Sequence, residues 1–299
     1  MTAVHPPWAQ RAEQRYRQLC LGARTLFDDP QWPFDHTTGL AYLEVANHLA
    51  RQCRGRHSPL MVGISGGQGA GKSTLSHFVG QLLSDEYGLS AQVLSLDDFY
   101  FSKARRQQLA QEVHPLFTTR GVPGTHDLQC LNDVLAHLQS GNPVRLAQFD
   151  KSDDDLLPER QWQQSVTKPD VILLEGWCMG ALPQPQESLV HPVNILEAQQ
   201  DADARWRHQV NRYLQGSYKE LFQRLDTLLY LQVPDITAVR RWRHQQEAGK
   251  GLSQQQVDEF VQYFERLTDW MQQTLPQRAD LVLALSATHQ VQDIRVNAT

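Results

Sequence analysis

An α/β fold is predicted from the sequence: a mostly parallel sheet with helices on both faces, preceded by a helical N-terminal extension. From Ser58 onward, short apolar runs alternate with helical patterns, which is typical of parallel strands joined by helices. Acidic or glycine-rich motifs follow several of these runs, at the strand ends where such folds bind ligands. The strand candidates are Leu60–Ile64, Ala91–Leu96, Val144–Phe149, Val171–Leu174, Leu228–Val233 and Leu281–Leu285.

The N-terminal segment is predicted to be helical. Helical patterns cover Trp8–Phe27 and Leu40–Cys53, and a cluster of aspartates and prolines between them breaks the pattern. We therefore expect residues 1–57 to form a helical extension that packs on a main domain of residues 58–299.

A phosphate-binding loop follows the first strand candidate. The sequence GGQGAGKS matches the pattern GxxxxGK[ST] between an apolar run and an amphipathic stretch. Glycines let the backbone amides wrap closely around a polyphosphate, and the next helix adds the positive end of its dipole. Lys72 is expected to reach the outer phosphates and Ser73 to hold Mg²⁺, which predicts a P-loop NTPase fold. The candidate nucleotide-binding residues are Gly66, Gly67, Gln68, Gly69, Ala70, Gly71, Lys72, Ser73 and Thr74.

The second strand candidate ends in two aspartates, Asp97 and Asp98. Because neighbouring side chains in a strand point to opposite faces, we expect only one of them to reach the site. Asp97 is the candidate base that orients and deprotonates an acceptor hydroxyl. Asp98 is assigned to a water-mediated contact with Mg²⁺ or to capping the next turn. Tyr100 ends the same segment and is a candidate contact for the acceptor.

A second metal-binding residue is predicted at the end of the strand candidate Val171–Leu174. Glu175 follows this apolar run and is expected to contact Mg²⁺, through water. Apolar runs that end in an acid are common in parallel sheets, so this interpretation depends on the phosphate-binding loop upstream.

The loop before the predicted helix Leu128–Gln139 carries two candidates for binding the acceptor. Thr125 or Asp127 would explain part of this loop as an ordinary helix cap. A cap does not explain Arg120 or His126, whose side chains can bind a carboxylate or a hydroxyl.

Lys151 and Arg160 flank a further charged loop. Lys151 lies in the segment Phe149–Ser152 after a strand candidate, and Arg160 ends the loop that follows. Acceptor binding and a solvated charged turn explain these residues equally well.

The C-terminal part is predicted to contain a long helix. Ser253 and Gln256 have capping-box spacing, and apolar residues then recur at helical intervals, which predicts a helix from about Gln254 to Thr274. Its apolar stripe is expected to face the core.

A lid is predicted near residues 240–253. A Gly-Lys-Gly sequence at 249–251 interrupts a basic segment that contains Arg240, Arg241 and Arg243. A flexible segment that bears arginines suits a lid that closes over phosphates.

Composition and charge narrow the class of partner. The formal net charge is -5 and the pI about 6.2, which argue against nucleic acid as the main partner. The four cysteines lack zinc-site or disulfide spacing and are expected to be reduced thiols. No apolar run approaches the ~20 residues that span a bilayer, and the N-terminus is polar rather than signal-like. We therefore expect a cytoplasmic protein with no membrane partner; the sequence carries no signal for an oligomeric state.

The motifs and their order resemble those of the P-loop kinase group that contains uridine kinase, phosphoribulokinase and pantothenate kinase. Within this group, the sequence is most similar to the plant and fungal glycerate kinases. The resemblance covers most of residues 59–271, and its most specific blocks are Arg120–Asp127 and Glu175–Trp177. The matching segments are Gly63–Ser73, Leu94–Tyr100, Arg120–Asp127, Phe149–Ser152, Glu175–Trp177 with Gly180, and Trp242–Arg243.

The resemblance implies ATP-dependent, Mg²⁺-assisted phosphorylation of D-glycerate to 3-phosphoglycerate, with D-glycerate or a similar small hydroxy acid as the expected small-molecule partner. It implies that Asp97 is the base, that Lys72 and Arg243 assist transfer, and that Lys151 helps to hold the acceptor. One departure bears on the acceptor: the family's loop after Asp-Lys-Ser is usually glycine-rich, whereas three aspartates begin this one at 153–155. Unless these carboxylates face solvent or metal, they would repel glycerate.

Two alternatives remain at this point. One is a kinase for another acceptor: a nucleoside, pantothenate or ribulose phosphate. The other is a nucleotide-driven switch or chaperone, against which the sequence lacks an Asn-Lys-x-Asp motif and carries a candidate base that a switch does not need.

Overall fold

The computed structural model describes residues 8–10, 12–14, 35–247 and 253–297. Its main sheet has six strands in the spatial order β10-β9-β8-β1-β7-β2. All neighbouring pairs are parallel except β9 and β10, which are antiparallel. The strands of this sheet are β1 (Leu60–Gly66), β2 (Ala91–Ser95), β7 (Val171–Glu175), β8 (Thr227–Gln232), β9 (Leu281–Leu285) and β10 (Val291–Val296).

Helices surround this sheet, as the alternating pattern predicted. The α-helices are α1 (His36–Cys53), α2 (Lys72–Tyr87), α3 (Lys103–Glu112), α4 (Leu128–Gln139), α5 (Ile195–Gln200), α6 (Arg205–Gln215), α7 (Ser217–Phe222), α8 (Ile236–Glu247) and α9 (Gln254–Thr274). Short 3-10 helices lie at Leu96–Phe99, Pro115–Thr118, Glu159–Gln161, Gln186–Leu189 and Leu275–Gln277. Within the described residues, no helix combines the length and the apolar character needed to cross a membrane.

The sheet divides the hydrophobic core into two faces. Every residue of β1 and β7 is buried, as expected for central parallel strands covered on both sides. Alternate residues of β1 serve opposite faces: Val62 joins the cluster that contains α1 and α2, whereas Met61 joins the cluster that contains α4 and α9. The layered α/β fold is therefore confirmed.

The strand candidate Val144–Phe149 does not join the main sheet, and that prediction was wrong. The segment forms β3 (Arg145–Leu146) and β4 (Phe149–Asp150), which pair antiparallel with β6 (Gln163–Gln164) and β5 (Asp155–Leu156). The backbone of this segment forms its hydrogen bonds with nearby residues of the same loop. The segment therefore makes small hairpins and does not join the main sheet. The antiparallel edge strand β10 was missed by the sequence analysis.

The N-terminal helix α1 shares the main core. It begins with the N-cap Asp35, whose carboxylate accepts the Thr38 N–H at 3.1 Å, and it buries residues such as Leu43 and Leu49 against the same cluster as the sheet. Residues 8–10 and 12–14 are also helical, whereas most of the predicted Trp8–Phe27 helix lies outside the described residues. The proposed boundary between residues 57 and 58 stays a prediction.

The long C-terminal helix is confirmed with the predicted limits. Ser253 accepts the Gln256 N–H at 3.2 Å, and the Gln256 side chain accepts the Ser253 N–H at 2.9 Å. This reciprocal capping box satisfies two donors that a helix start otherwise leaves unpaired.

Candidate active site

A polar pocket of about 240 Å³ lies at the carboxyl edge of the sheet. The phosphate-binding loop forms one wall, and Asp97, Tyr100, Lys151, Glu175 and Arg243 contribute side chains. The parallel strands explain this convergence, because β1, β2 and β7 all end at this edge. The fold therefore brings together residues as far apart in the chain as Gln68 and Arg243.

The phosphate-binding loop connects β1 to α2 in a conformation that glycine favours. Gly69 and Gly71 have φ angles of 75° and 88°, in the left-handed region that residues with a Cβ rarely adopt. Gly71 is also the N-cap of α2, so the loop ends where the unpaired amides of a helix start. The amides and the helix dipole suit a polyphosphate.

Lys72 starts α2 and reaches back over the loop. Its Nζ donates to the Gly67 carbonyl at 3.2 Å. Burial lowers the pKa of Lys72, while the nearby carboxylates of Glu175 and Asp97 act in the opposite direction. The ammonium therefore lies between the phosphate-binding loop and the acids of the site.

Ser73 and Glu175 form an oxygen-rich pair beside the loop. The Ser73 hydroxyl donates to Glu175 Oε1 at 2.8 Å, and the Ser95 hydroxyl donates to the same oxygen at 2.9 Å. Strand register causes this contact, because Ser95 on β2 lies opposite Glu175 on β7. Hydroxyl and carboxylate oxygens are ligands that Mg²⁺ accepts, so these residues fit the predicted metal site.

Asp97 lies on the 3-10 helix Leu96–Phe99, so both aspartates follow the strand instead of belonging to it. The 3-10 turn, and not strand alternation, therefore separates the two carboxylates. Asp97 Oδ2 accepts from Lys151 Nζ at 2.7 Å, and Oδ1 accepts from the Tyr100 hydroxyl at 2.9 Å. Burial alone would raise the pKa of Asp97, but Lys151, with smaller contributions from His126 and Lys72, lowers the pKa to about 2. Asp97 is therefore ionised at neutral pH.

Asp98 does not line the pocket, and its position does not support the predicted metal contact. Its Oδ1 accepts the backbone N–H of Phe149 at 3.3 Å, which attaches the Leu96–Phe99 turn to β4. Burial, opposed by this hydrogen bond, raises the pKa of Asp98 to about 6. These contacts indicate a structural role.

We expect Asp98→Asn to stabilise the protein at neutral pH with little loss of activity. Because the pKa of Asp98 is higher in the folded than in the unfolded protein, its protonation stabilises the folded state. This stabilisation is complete below the unfolded pKa near 3.8 and is lost as the pH rises through about 6. An asparagine cannot ionise, and its carbonyl can still accept the Phe149 N–H. Because the side chain is only partly buried, a gain of about 1–2 kcal/mol is expected at pH 7.5 and almost none at pH 4. Urea unfolding at both pH values measures the gain. Large loss of kcat at unchanged stability would instead support the metal role.

Arg120 lies beside the pocket and is already paired. Its guanidinium forms an ion pair with Asp154, which also binds Arg106 at 3.0 Å. The same guanidinium lies over the Phe149 ring, 5.4 Å from its centroid. The structure therefore places Arg120 in an internal network and not in the lining of the pocket.

His126 is buried behind Tyr100. The two rings stack with centroids 4.5 Å apart, and Nδ1 lies 2.6 Å from the Tyr218 hydroxyl. Burial, opposed by Asp97, lowers the pKa of His126 to about 4, so the ring is neutral at pH 7. The Tyr218 hydroxyl accepts the Gly124 N–H and can donate to Nδ1, which places the imidazole proton on Nε2. Nε2 has no hydrogen-bond partner within the described ranges, so a buried donor remains available.

Lys151 and Arg160 have different positions. Lys151 extends from an exposed turn after β4 into the pocket, with 59% of its side chain exposed. Arg160 is exposed on the 3-10 helix Glu159–Gln161 and does not line the pocket. Of this pair, only Lys151 lies where a molecule in the pocket could contact it, and acceptor binding by Lys151 stays a prediction.

Arg243 reaches the pocket from α8, and its guanidinium lies 4.9 Å from the Phe260 ring centroid. Arg240, Arg241 and Arg243 all belong to this helix and not to a flexible link. The predicted Gly-Lys-Gly link at 249–251 lies outside the described residues, so the lid stays a prediction.

The sequence analysis missed His289 and Trp242 as neighbours of the phosphate-binding loop. His289 lies in the turn between β9 and β10, donates from Nε2 to the Gly69 carbonyl at 2.8 Å, and stacks on Trp242 with centroids 4.1 Å apart. A single histidine after a strand gave no pattern, although the Trp-Arg pair at 242–243 belonged to the resemblance. The turn therefore connects the loop to α8.

Tyr218 was also missed, because a tyrosine on a short helix has no distinctive spacing. Its hydroxyl holds both His126 and the Gly124 N–H.

Comparison with known proteins places the chain among kinases. No family model matches the chain. The chain is 34% identical over 242 residues to the uncharacterized kinase mug58 of Schizosaccharomyces pombe, covering 74% of this chain and 84% of that protein. It is 28% identical over 219 residues to the chloroplastic D-glycerate 3-kinase of Arabidopsis thaliana, covering 68% of this chain and 45% of the relative.

The fold has a solved counterpart. The structure of a D-glycerate 3-kinase from Cryptococcus neoformans matches with a TM-score of 0.70, covering 86% of this chain and 97% of that one, at 24% identity. At this identity the likeness concerns the fold. With a relative that is 34% identical over most of its length, the chain belongs to the family of P-loop kinases that includes the fission-yeast kinase and D-glycerate 3-kinase.

Proposed function

We propose that the protein is an ATP-dependent kinase that phosphorylates D-glycerate on its 3-hydroxyl to give 3-phosphoglycerate. The observation that carries this proposal is the position of ionised Asp97 in one pocket with Lys72, Glu175 and the cation of Lys151. A carboxylate base, a phosphate-binding loop and a nearby cation suit a small hydroxy acid as the acceptor. The plant relative is a D-glycerate 3-kinase, which agrees with this acceptor.

The atypical acidic loop is compatible with an anionic acceptor. Asp154 pairs with Arg106 and Arg120, and the Asp155 carboxylate accepts the Lys103 N–H at the start of α3 at 3.0 Å. Two of the three added carboxylates therefore have partners within the protein: Asp154 has two arginines, and Asp155 has a backbone N–H at a helix start. The repulsion that the sequence suggested is reduced accordingly.

ATP and Mg²⁺ are the proposed cofactors. The phosphate-binding loop and Lys72 would hold the triphosphate, and Ser73 and Glu175 would hold Mg²⁺. When bound, the metal ion supplies neutralisation of phosphate charge.

Side chains near the acceptor carry out the remaining steps of the proposed reaction. Asp97 takes the proton of the acceptor hydroxyl as the new O–P bond forms, and ADP leaves. His126 does not line the pocket, so its Nε2–H is not assigned to the acceptor. Arg243, from α8, adds positive charge near the phosphate-binding loop, as in the proposed lid.

An acceptor panel tests the proposal. ADP release would be followed with D-glycerate, uridine, pantothenate and ribulose 5-phosphate, and phosphorus NMR would identify the modified hydroxyl. We expect D-glycerate to give the highest kcat/KM and the 3-phosphate as product. A faster reaction with another acceptor would contradict the glycerate assignment, and hydrolysis that ignores every acceptor would favour a nucleotide switch.

His289 is expected to support nucleotide binding. In His289→Ala, the Gly69 carbonyl loses its hydrogen bond and Trp242 loses its stacking partner, so the phosphate-binding loop is held less firmly. We expect a loss of about 1–1.4 kcal/mol of binding free energy, which corresponds to a five- to tenfold higher Kd for an ATP analogue. Calorimetry without acceptor measures this, and His137→Ala on the exposed face of α4 is the control. An unchanged Kd for the variant would contradict this role.

A further inference from the structure

Both oxygens of the candidate base are engaged before any acceptor is bound. Lys151 Nζ donates to Oδ2 of Asp97 at 2.7 Å, and the Tyr100 hydroxyl donates to Oδ1 at 2.9 Å. A carboxylate that is paired with an ammonium is a weak base, because protonation would break the ion pair. An incoming hydroxyl must therefore displace one of these two donors.

Lys151 is the donor that can move. Tyr100 is 4% exposed and stacks on His126, so its hydroxyl is held by packing. Lys151 belongs to an exposed turn, and 59% of its side chain is exposed. A long, flexible and exposed side chain can exchange one carboxylate for another at little cost.

The neighbouring arginine cannot easily take this role. Arg120 is 17% exposed and shares Asp154 with Arg106, so its guanidinium is already held in an ion pair. Among the cations around Asp97, Lys72 lies at the phosphate-binding loop and bonds to the Gly67 carbonyl. Arg243 also lines the pocket, whereas Lys151 is the cation that contacts Asp97 directly, so an anionic group beside Asp97 would meet Lys151.

We propose that Lys151 masks Asp97 in the free protein and that an anionic acceptor unmasks it by pairing its carboxylate with Lys151. This inference rests on the proposed function and specifies how the site selects its acceptor. The acceptor carboxylate takes Lys151, and the acceptor hydroxyl then reaches Oδ2. The hydroxyl proton passes to Asp97 while its oxygen bonds to the γ-phosphorus and the bond to ADP breaks.

Masking has two consequences for selectivity. Glycerol, which carries a hydroxymethyl group in place of the carboxylate, fits the same space but cannot draw Lys151 away. Water cannot do so either, so hydrolysis of ATP without an acceptor stays slow. The negative charge of the acceptor would thus control the availability of the base.

The test is Lys151→Met, which keeps most of the length of the side chain and removes its charge. We expect kcat/KM for D-glycerate to fall at least tenfold, kcat/KM for glycerol to stay equal or rise, and acceptor-free ATP hydrolysis to rise severalfold. Lys151→Arg, which retains the charge, should restore most of the preference for D-glycerate. Lys219→Met, at an exposed position on α7, is the matched control, and calorimetry with ADP checks that the nucleotide site is intact.

A structural readout is independent of turnover. In crystals soaked with D-glycerate alone, we expect Lys151 Nζ to bind the glycerate carboxylate and to lie more than about 4 Å from Asp97 Oδ2, beyond ion-pair distance. An unbroken contact between Lys151 and Asp97 with D-glycerate bound would overturn the masking proposal.

The two proposals fail in different ways. If the wild-type protein leaves D-glycerate unmodified, the proposed function fails, while the hydrolysis measurement on Lys151→Met still tests masking. Suppose instead that D-glycerate is phosphorylated, but Lys151→Met lowers kcat/KM equally for D-glycerate and glycerol and does not raise ATP hydrolysis. The masking proposal is then wrong, and the proposed function stands.

Discussion

Lys72→Ala is expected to lower kcat on the order of 10³-fold or more. The ammonium lies between the phosphate-binding loop and the acids Asp97 and Glu175, where charge develops during phosphoryl transfer. Burial makes this charge more effective than an exposed one, because little water competes for it. The alanine also leaves two carboxylates close together without their central cation.

The measurement is kcat at saturating ATP and D-glycerate, with calorimetry of ADP binding. Lys219→Ala on α7 is the control for a lost surface charge. A decrease smaller than tenfold, with a folded protein, would show that the loop does not use Lys72 for transfer.

Asp97→Asn is expected to lower kcat on the order of 10²-fold or more. This decrease corresponds to a loss of at least about 2.7 kcal/mol of transition-state stabilisation. Asparagine retains an oxygen that can accept from Tyr100, so the turn should keep its shape, but the amide cannot take a proton. KM for the acceptor should change much less than kcat, because the step that is lost is proton removal.

Asp85→Asn, at an exposed position on α2, is the control for this change. Near-normal turnover of Asp97→Asn with D-glycerate would eliminate Asp97 as the base. A decrease in kcat that is accompanied by a large decrease in thermal stability would point to a structural role, since the ion pair with Lys151 is also lost.

The site was predictable from the sequence where one short segment carries the chemistry. The loop from Gly66 to Thr74 has a pattern that requires glycine and lysine at fixed positions. Local hydrogen bonds likewise set the start of α9 at the capping box of Ser253. Asp97 and Glu175 follow two strands of one parallel sheet, whose carboxyl ends meet at the same edge.

Features that depend on tertiary contacts were not predictable. The segment Val144–Phe149 has the apolar character of a core strand, yet its pairing partners lie within its own loop. The pairing of Arg120 with Asp154 joins two loops, and no spacing in the sequence indicates it. His289 bonds to Gly69 across 220 positions, so only the folded chain reveals this contact.

The central position of β1 has a consequence for biosynthesis. Its two neighbours, β7 and β8, begin at Val171 and Thr227, so this early apolar strand stays unpaired until much of the chain has left the ribosome. Such long-range parallel pairing is slow, and an unpaired apolar strand promotes aggregation. Yield in a heterologous host should therefore depend on slow translation and on chaperones that shield nascent segments.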